Sequence, residues 1–328
     1  MTLENIGFFI RHFTERGTEV SIYNYANYNE TILNNKSFII CFTPEAQKKI
    51  KFPMMRYSYE KFKSRFEIIE IESIDDMKDV IIKYNLSFFY TQTHGGKDIY
   101  KFNNKQIWGN CKTIKHCVFN VSYRESDFFI SISKTILKNE NIEVIPYMVD
   151  TYETNDNLRK ELNVPNDAIV LGRYGADTQF NIDYVHDAIK DYLAANSNIY
   201  FLFMNTNNFF NHPNIIYLEK SVNNEYKSKF INTCNAMLHA RKMGETFGLA
   251  IAEFSTKNKP ILTSKSGDIE HLKILGEKAI IYNSKNELLQ IFNNIENIIN
   301  SRNDWNSYKD YSPDKVMEKF NTLIFNKK

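Results

Sequence analysis

Residues 237–254 read Met237-Leu238-His239-Ala240-Arg241-Lys242-Met243-Gly244-Glu245-Thr246-Phe247-Gly248-Leu249-Ala250-Ile251-Ala252-Glu253-Phe254. The apolar run ending at Leu238 predicts a strand, Gly244 and Glu245 fall in a loop, and a helix is expected to begin at about Phe247 or Gly248. The first amides of a helix have no internal partners and point out of its positive end, so this turn is a ready site for a diphosphate. Gly248 permits close approach of a phosphate. Glu245, just ahead of the amides, is placed to reach a hydroxyl of whatever group the diphosphate carries, and Glu253 to accept two hydrogen bonds from a ribose diol. A plainer reading stands beside this one: an acidic residue before a helix often only complements the dipole, and that alone would explain Glu245. It does not explain Glu253, which sits among Ala250, Ile251, Ala252 and Phe254. An unpaired carboxylate there would be costly, so it needs a partner, and a ribose would serve.

Outward from this stretch, short apolar runs alternate with helix-period segments nearly from end to end, the pattern of parallel sheets covered by crossover helices. The expected class is α/β. Strand-like runs occur at Ile6–Ile10, Phe38–Phe42, Phe66–Ile71, Phe88–Tyr90, Ile114–Phe119 and Phe128–Ile132. A second series follows at Ala168–Leu171, Ile199–Phe203, Ile215–Leu218, Ala236–Leu238, Pro260–Thr263 and Ala279–Tyr282. Helical spacing marks Thr18–Asn27, Ile74–Tyr84, Asn181–Leu193 and Gly248–Thr256, and Val316, Phe320 and Leu323 predict a terminal helix over Pro313–Phe325. The polar stretch Thr151–Lys160 suits an inter-domain passage. Two Rossmann-like domains facing each other across a cleft are therefore expected, residues 1–150 and 151–305, with 306–328 forming a helix that packs back toward the first. Function is to be sought in the loops that follow strands.

At 328 residues the chain exceeds the usual size of one core, in keeping with two domains. Lys and Arg number 41 against 39 Asp and Glu, far from the basic excess of a dedicated nucleic-acid binder, and nucleic acid is not expected as a partner. No run is long and apolar enough to span a bilayer, and the start Met1-Thr2-Leu3-Glu4-Asn5 lacks the pattern of a secretory leader, so a cytoplasmic protein is expected. Cys41, Cys111, Cys117 and Cys234 are scattered and match no zinc spacing, which predicts buried free thiols and no metal site.

The pair Glu245 and Glu253, with seven residues between them and wrapped around Phe247-Gly248-Leu249, resembles the signature of retaining glycosyltransferases of family 4, which have the GT-B fold. Further stretches are similar to that family. Ile145–Asp150 resembles the Ile-Pro-Asn-Gly-Val-Asp that opens its second domain, Lys259-Pro260-Ile261-Leu262 stands where Gly-Pro-Val-Ile is usual, and Ser266-Gly267-Asp268-Ile269-Glu270 resembles its Gly-Gly-x-x-Glu loop beside the donor sugar. The likeness covers Ile142–Tyr282 well and Met1–Asn141 weakly. It implies that Glu245 is catalytic and contacts donor-sugar hydroxyls, that Glu253 contacts the nucleotide ribose, and that backbone near Gly244, Thr246, Phe247, Gly248 and Leu249 holds the diphosphate.

Departures from the family pattern bear on the cations. The family supplies an Arg and a Lys to the diphosphate through Gly-Arg-Leu-x-x-x-Lys-Gly, whereas this chain reads Leu171-Gly172-Arg173-Tyr174-Gly175-Ala176-Asp177-Thr178-Gln179-Phe180. If Gly172 matches the family glycine, Arg173 is retained; if Gly175 does, the arginine has become Ala176. The lysine is missing in either register. Arg173 is thus a donor-side candidate against a plain ion-paired arginine, and Arg241 or Lys242 could supply the missing charge. In the first domain, Glu15-Arg16-Gly17-Thr18-Glu19 occupies the place of the family's glycine-rich acceptor loop; the alternative is a simple turn with Thr18 as N-cap. His94, beside Gly95 and Gly96, reads as cleft-lining or as structural. His116 resembles the family histidine at the reaction centre, with a satisfied core histidine as its rival; His12, His186, His212 and His271 read as structural, and His239 is left open.

The resemblance implies transfer of a sugar from a nucleotide diphosphate-sugar to an acceptor hydroxyl with retained anomeric configuration and without a metal. The nucleotide sugar is then a co-substrate and no cofactor is called for. The acceptor is a glycan, a lipid-linked glycan or a small molecule, and a homo-oligomer is left open. Two other readings are a non-catalytic nucleotide-sugar binder and a GT-B sugar-nucleotide epimerase.

Overall fold

The computed structural model describes residues 3–14, 16–50, 54–138 and 140–326. The chain divides into two compact units: one takes in the chain up to Met148 and again from Tyr311, the other is Val149–Asp310.

The first unit is built on a six-stranded sheet of β1 (Asn5–Phe9), β2 (Lys36–Phe42), β3 (Glu67–Ile71), β4 (Phe88–Thr93), β5 (Lys112–Cys117) and β6 (Phe128–Ser131), in the order β3-β2-β1-β4-β5-β6. Every neighbouring pair runs parallel. Central strands of such a sheet are covered on both faces and read as near-continuous apolar runs, as in Phe38-Ile39-Ile40-Cys41-Phe42, all buried. One face packs on the helices Gly17–Thr31 and Pro313–Ile324, with Ile22, Tyr25, Ala26, Val316 and Phe320 in one cluster with Phe8 and Tyr90. The other face packs on Met77, Val80 and Trp108. The helix expected over Ile74–Tyr84 is a 3-10 turn, Ile74–Asp76, leading into a helix, Met77–Tyr84. A capping box between Ser73 and Asp76 tightens that first turn, and Asn85 ends the helix in the left-handed region.

The second unit repeats the plan with β7 (Ile169–Tyr174), β8 (Ile199–Met204), β9 (Ile215–Leu218), β10 (Ala236–Leu238), β12 (Ile261–Thr263) and β14 (Ala279–Ile281), in the order β14-β12-β10-β7-β8-β9, again all parallel. Counted within the unit, this is the same 3-2-1-4-5-6 order as the first sheet, the Rossmann arrangement. Two short strands, β11 (Gly244–Glu245) and β13 (Asp268–Ile269), pair outside the main sheet. The helix Asp183–Ala195 buries Val185, Ile189 and Leu193 against the sheet. Residues 305–308 brace the helix Leu249–Thr256: the Ser255 hydroxyl donates to the Trp305 carbonyl at 3.1 Å and accepts from the Ser307 amide at 2.9 Å.

All four cysteines are buried free thiols, as expected. No helix among the described residues is long and apolar enough to cross a membrane.

Candidate functional site

The carboxyl ends of β10 and β12 in the second unit lead into two loops that cross each other through glycine. Gly244 has φ +64°, and a Cβ there would lie 2.1 Å from the Asp268 carbonyl oxygen, so only glycine lets the β11 and β13 segments meet. Gly248, φ +82°, is the N-cap of the helix Leu249–Thr256. A Cβ on it would sit 3.3 Å from the Glu245 Cβ, so the glycine keeps the helix terminus close against that side chain.

Glu245 is gripped from two sides. Arg241 Nη1 donates to its Oε2 at 2.8 Å, and His239 Nε2 faces its Oε1 at 3.3 Å. Burial alone would raise the carboxyl pKa, but the hydrogen bond from His239 and the charge of Arg241 outweigh it and bring it to about 2. Glu245 is therefore a fixed anion at neutral pH, 19% exposed, standing just ahead of the helix amides. Behind it, His239 Nδ1 meets Thr263 Oγ1 at 2.9 Å, and the same oxygen meets His271 Nε2 at 3.1 Å. Burial, with the charge of His239, lowers His271 to about 3 and keeps it neutral. Arg241 Nε and Glu270 Oε2, either side of the Glu245 loop, are buried without a hydrogen-bond partner. Unsatisfied buried polar atoms are uncommon in folded proteins and call for an explanation such as a ligand.

Glu253 is 7% exposed and finds within the chain the partner that a buried carboxylate needs, so its burial does not by itself call for a ribose. Its Oε2 accepts from the Tyr174 hydroxyl and its Oε1 from Lys227 Nζ at 3.3 Å. Two of about four acceptor positions on the carboxylate are thus taken. Arg173, 4% exposed, is no plain ion-paired arginine: its guanidinium donates to the carbonyls of Asn205 and Ala176 and to Thr206 Oγ1. Burial lowers its pKa to about 10, which leaves it a cation at neutral pH. Lys242 points to the surface and pairs with Asp183 at 2.9 Å. Thr246 and Phe247 are buried; the Phe247 ring packs on Tyr308, and its carbonyl accepts from the Tyr308 hydroxyl at 2.9 Å. Leu249 opens the helix as its first residue.

In the first unit, Arg16 is exposed and is itself the N-cap residue of Gly17–Thr31, without a side-chain capping bond. Thr18 does not cap; its hydroxyl donates to Glu19 Oε2 at 2.7 Å, and Glu19 Oε1 contacts His12 Nδ1. Glu15 lies outside the described residues. His94 is exposed at the end of β4, its Nδ1 accepting from Asn120 Nδ2 at 2.6 Å and its ring 5.4 Å from Phe119. Gly95, φ +103°, is buried against the Asn120 carbonyl. His116 is wholly buried on β5, with Tyr90 Oη at 2.7 Å from Nδ1 and the Ile145 carbonyl 2.8 Å from Nε2. Burial lowers it to about 4, so it is neutral. With both ring nitrogens engaged, His116 has the arrangement of a satisfied core histidine, the rival reading, and a reaction-centre role finds no support there.

The structure thus gathers Arg241, Gly244, Glu245 and Gly248 into one turn and adds His239, Thr263, His271, Tyr174 and Lys227, which sequence reading left open, read as structural or did not single out. His239 and Thr263 carried one usable signal: each sits at the carboxyl end of a strand-like run.

Two Rossmann-like domains of this order make the GT-B architecture. Solved structures share it across nearly the whole chain. A glycosyltransferase from Rickettsia africae is 14% identical with a TM-score of 0.71, covering 100% of both chains. Anabaena HepE in complex with UDP-glucose is 12% identical with a TM-score of 0.66, covering 98% of this chain and 99% of its own. A proposed UDP-N-acetylglucosamine 2-epimerase from Listeria monocytogenes is 11% identical with a TM-score of 0.60, covering 100% of this chain and 98% of its own. By sequence, the chain matches no family model and no curated protein.

Proposed function

We propose that the protein is a retaining, metal-independent glycosyltransferase that takes a sugar from a nucleotide diphosphate donor held by the second unit and passes it to an acceptor hydroxyl bound by the first. The observation that carries this is Glu245, an anion clamped between His239 and Arg241 directly before the N-terminus of Leu249–Thr256. The helix amides and the buried Arg173 supply positive potential to a diphosphate leaving group, which is what such a transfer must stabilise. The carboxylate accepts from a sugar hydroxyl. Glu253, with acceptor capacity beyond Tyr174 and Lys227, takes the ribose. In the step itself the bond from the anomeric carbon to the phosphate oxygen breaks, the acceptor oxygen bonds to the same face, and the acceptor proton passes to the departing phosphate.

The UDP-glucose bound to HepE supports a uridine donor, and the Listeria protein keeps an epimerase as the second reading. A thermal-shift panel of UDP, GDP, ADP and their sugars is the first test, since a ligand at a hundred times its Kd adds about 2.7 kcal/mol of stability. Product analysis then separates the readings: a new glycoside with retained configuration and free nucleoside diphosphate supports the transferase, an epimerised nucleotide sugar the epimerase, and binding without turnover a non-catalytic binder. Glu245→Gln, which keeps shape and removes charge, is expected to lower turnover on the order of a hundredfold and, by taking the anion from Arg241 and His239, to lower the melting temperature as well, so turnover is compared at a temperature where the variant is folded. Wild-type turnover in that variant would remove Glu245 from the mechanism.

A further inference from the structure

Behind Glu245 stands a row of buried polar side chains that no donor contact requires. His239 and Thr263 are 6% and 0% exposed and His271 is 0% exposed, yet they are joined in series: Glu245 Oε1, His239, Thr263 Oγ1, His271 Nε2. The backbone joins the series too, because the Tyr282 hydroxyl donates to the His239 carbonyl at 2.5 Å. The residues come from the ends of β10 and β12 and from the helix Glu270–Leu275. Buried polar side chains are costly unless hydrogen-bonded, and the bonds that meet that cost here also fix the orientation of each member of the row.

The hydrogen positions along the row follow from chemistry. An ionised carboxylate only accepts, so His239 Nε2 must carry a hydrogen toward Glu245. Its other nitrogen is held by Thr263, whose hydroxyl can donate one hydrogen and accept others, and which His271 holds from the far side. Whichever way the Thr263 hydroxyl turns, the His239 ring cannot rotate or move its Nε2 hydrogen without losing a buried bond. Arg241 occupies Oε2 in the same manner. The groups around Glu245 thus include two donors from this chain, the more distant charge of Arg173 and the His271 ring, and its remaining lone pairs are set in direction.

We propose that His239 is a positioning residue, locked by Thr263 and His271, that aims the Glu245 carboxylate at a hydroxyl of the sugar on the diphosphate and so lets the protein tell a nucleotide sugar from the bare nucleotide. This rests on the reading that the second unit binds a nucleotide sugar.

The experiment is calorimetric titration of the full chain with the pairs UDP and UDP-glucose, GDP and GDP-mannose, and ADP and ADP-glucose. The wild type is expected to bind one sugar nucleotide more tightly than its bare nucleotide. His239→Phe and Thr263→Val should each lower the sugar-nucleotide affinity about tenfold, the value of one charged hydrogen bond, and leave the bare nucleotide unchanged. Thr263→Ser, which keeps the hydroxyl, should restore it. A purely structural role would lower the melting temperature without separating the two ligands, and equal effects on both ligands would overturn the proposal alone. Failure of the wild type to bind any of the six would overturn the functional reading and this one together. Should the variants not fold, nitrogen NMR of the histidines in the wild type decides: a His239 ring without hydrogen on Nε2 overturns the assignment.

Discussion

The two units share one strand order and differ in where each hides its polar groups. In the first, Lys115 and His116 of β5 are sealed inside. Lys115, 0% exposed, reaches Asp98 at 2.8 Å, the Gly96 carbonyl at 2.8 Å and the Tyr123 carbonyl at 3.1 Å, with the Tyr123 ring 5.5 Å away. His116 on the same strand is closed off between Tyr90 and Ile145. These contacts tie the loop after β4 to β5 and leave His94 and Phe119 outside. In the second unit, the buried histidines end in a partly exposed carboxylate beside a helix terminus. The same fold uses buried polar groups to pin loops in one half and to aim a side chain in the other, and the two uses fail differently when broken.

Breaking the pinned half is expected to have the largest effect. Lys115→Met removes one member of a buried pair and strands the Asp98 carboxylate, a change that typically destabilises by about 3–5 kcal/mol. Because two units need not unfold together, the measurement is hydrogen exchange read by region: protection should fall over β4, β5 and the residues between them, and hold over Val149–Asp310. Loss spread evenly over both units would mean that the pair does not act locally.

How far the sequence announced these features depends on their range. The sheets were legible because buried parallel strands must be apolar along their length, and Phe38–Phe42 and Ile199–Phe203 say so within a few residues. The turn at Gly244–Gly248 was legible for the same reason, since its demand for glycine and for an acidic group near helix amides is local. Partners that arrive through the fold were not. Nothing near Lys227 marks it as the lysine that meets Glu253, and the helix that carries it, Asn224–Thr233, has too few apolar positions for its period to stand out. His271 read as an ordinary structural histidine, and only the meeting of β10 with β12 puts it in line with Thr263 and His239. His12 read the same way until the start of Gly17–Thr31 brought Glu19 to it.

Acid separates the halves by an intermediate amount. His116 and His271 are held below the ordinary histidine pKa of 6.5, at about 4 and about 3, chiefly by burial. A base with a lowered folded pKa favours the fold fully above 6.5, and that contribution is lost progressively as pH falls toward the folded value. Glu245, at about 2 against an ordinary 4.5, contributes above 4.5 and loses its contribution as pH falls through 2. Between pH 6.5 and 4.5 the first unit thus weakens through His116 and the second through His271 and His186, which burial also lowers, and below 4.5 the second unit has an additional loss through Glu245. Exchange measured from pH 7 to 4 should show both halves softening, and His116→Gln should flatten the dependence in the first half only. A dependence unchanged by that variant would place the acid sensitivity elsewhere.

The smallest effect is expected where the chain offers a cation at the surface. Lys242 is 57% exposed and its partner Asp183 83%, and an exposed pair of this kind contributes little because water and salt screen it and two long side chains must be held still. Sequence alone made Lys242 a candidate for the diphosphate charge that a missing lysine leaves open. The structure gives it a partner turned away to solvent, while Arg173 stays buried and charged behind the loop after β7. Lys242→Ala should therefore leave the denaturation midpoint within its scatter and the affinity for UDP within about twofold of the wild type. A tenfold loss of UDP affinity would instead mean that Lys242 leaves Asp183 when ligand binds and that the diphosphate draws its charge from a mobile surface side chain. In that event the contrast between the halves would extend to their cations, one buried and fixed at Lys115, the other exposed and recruited.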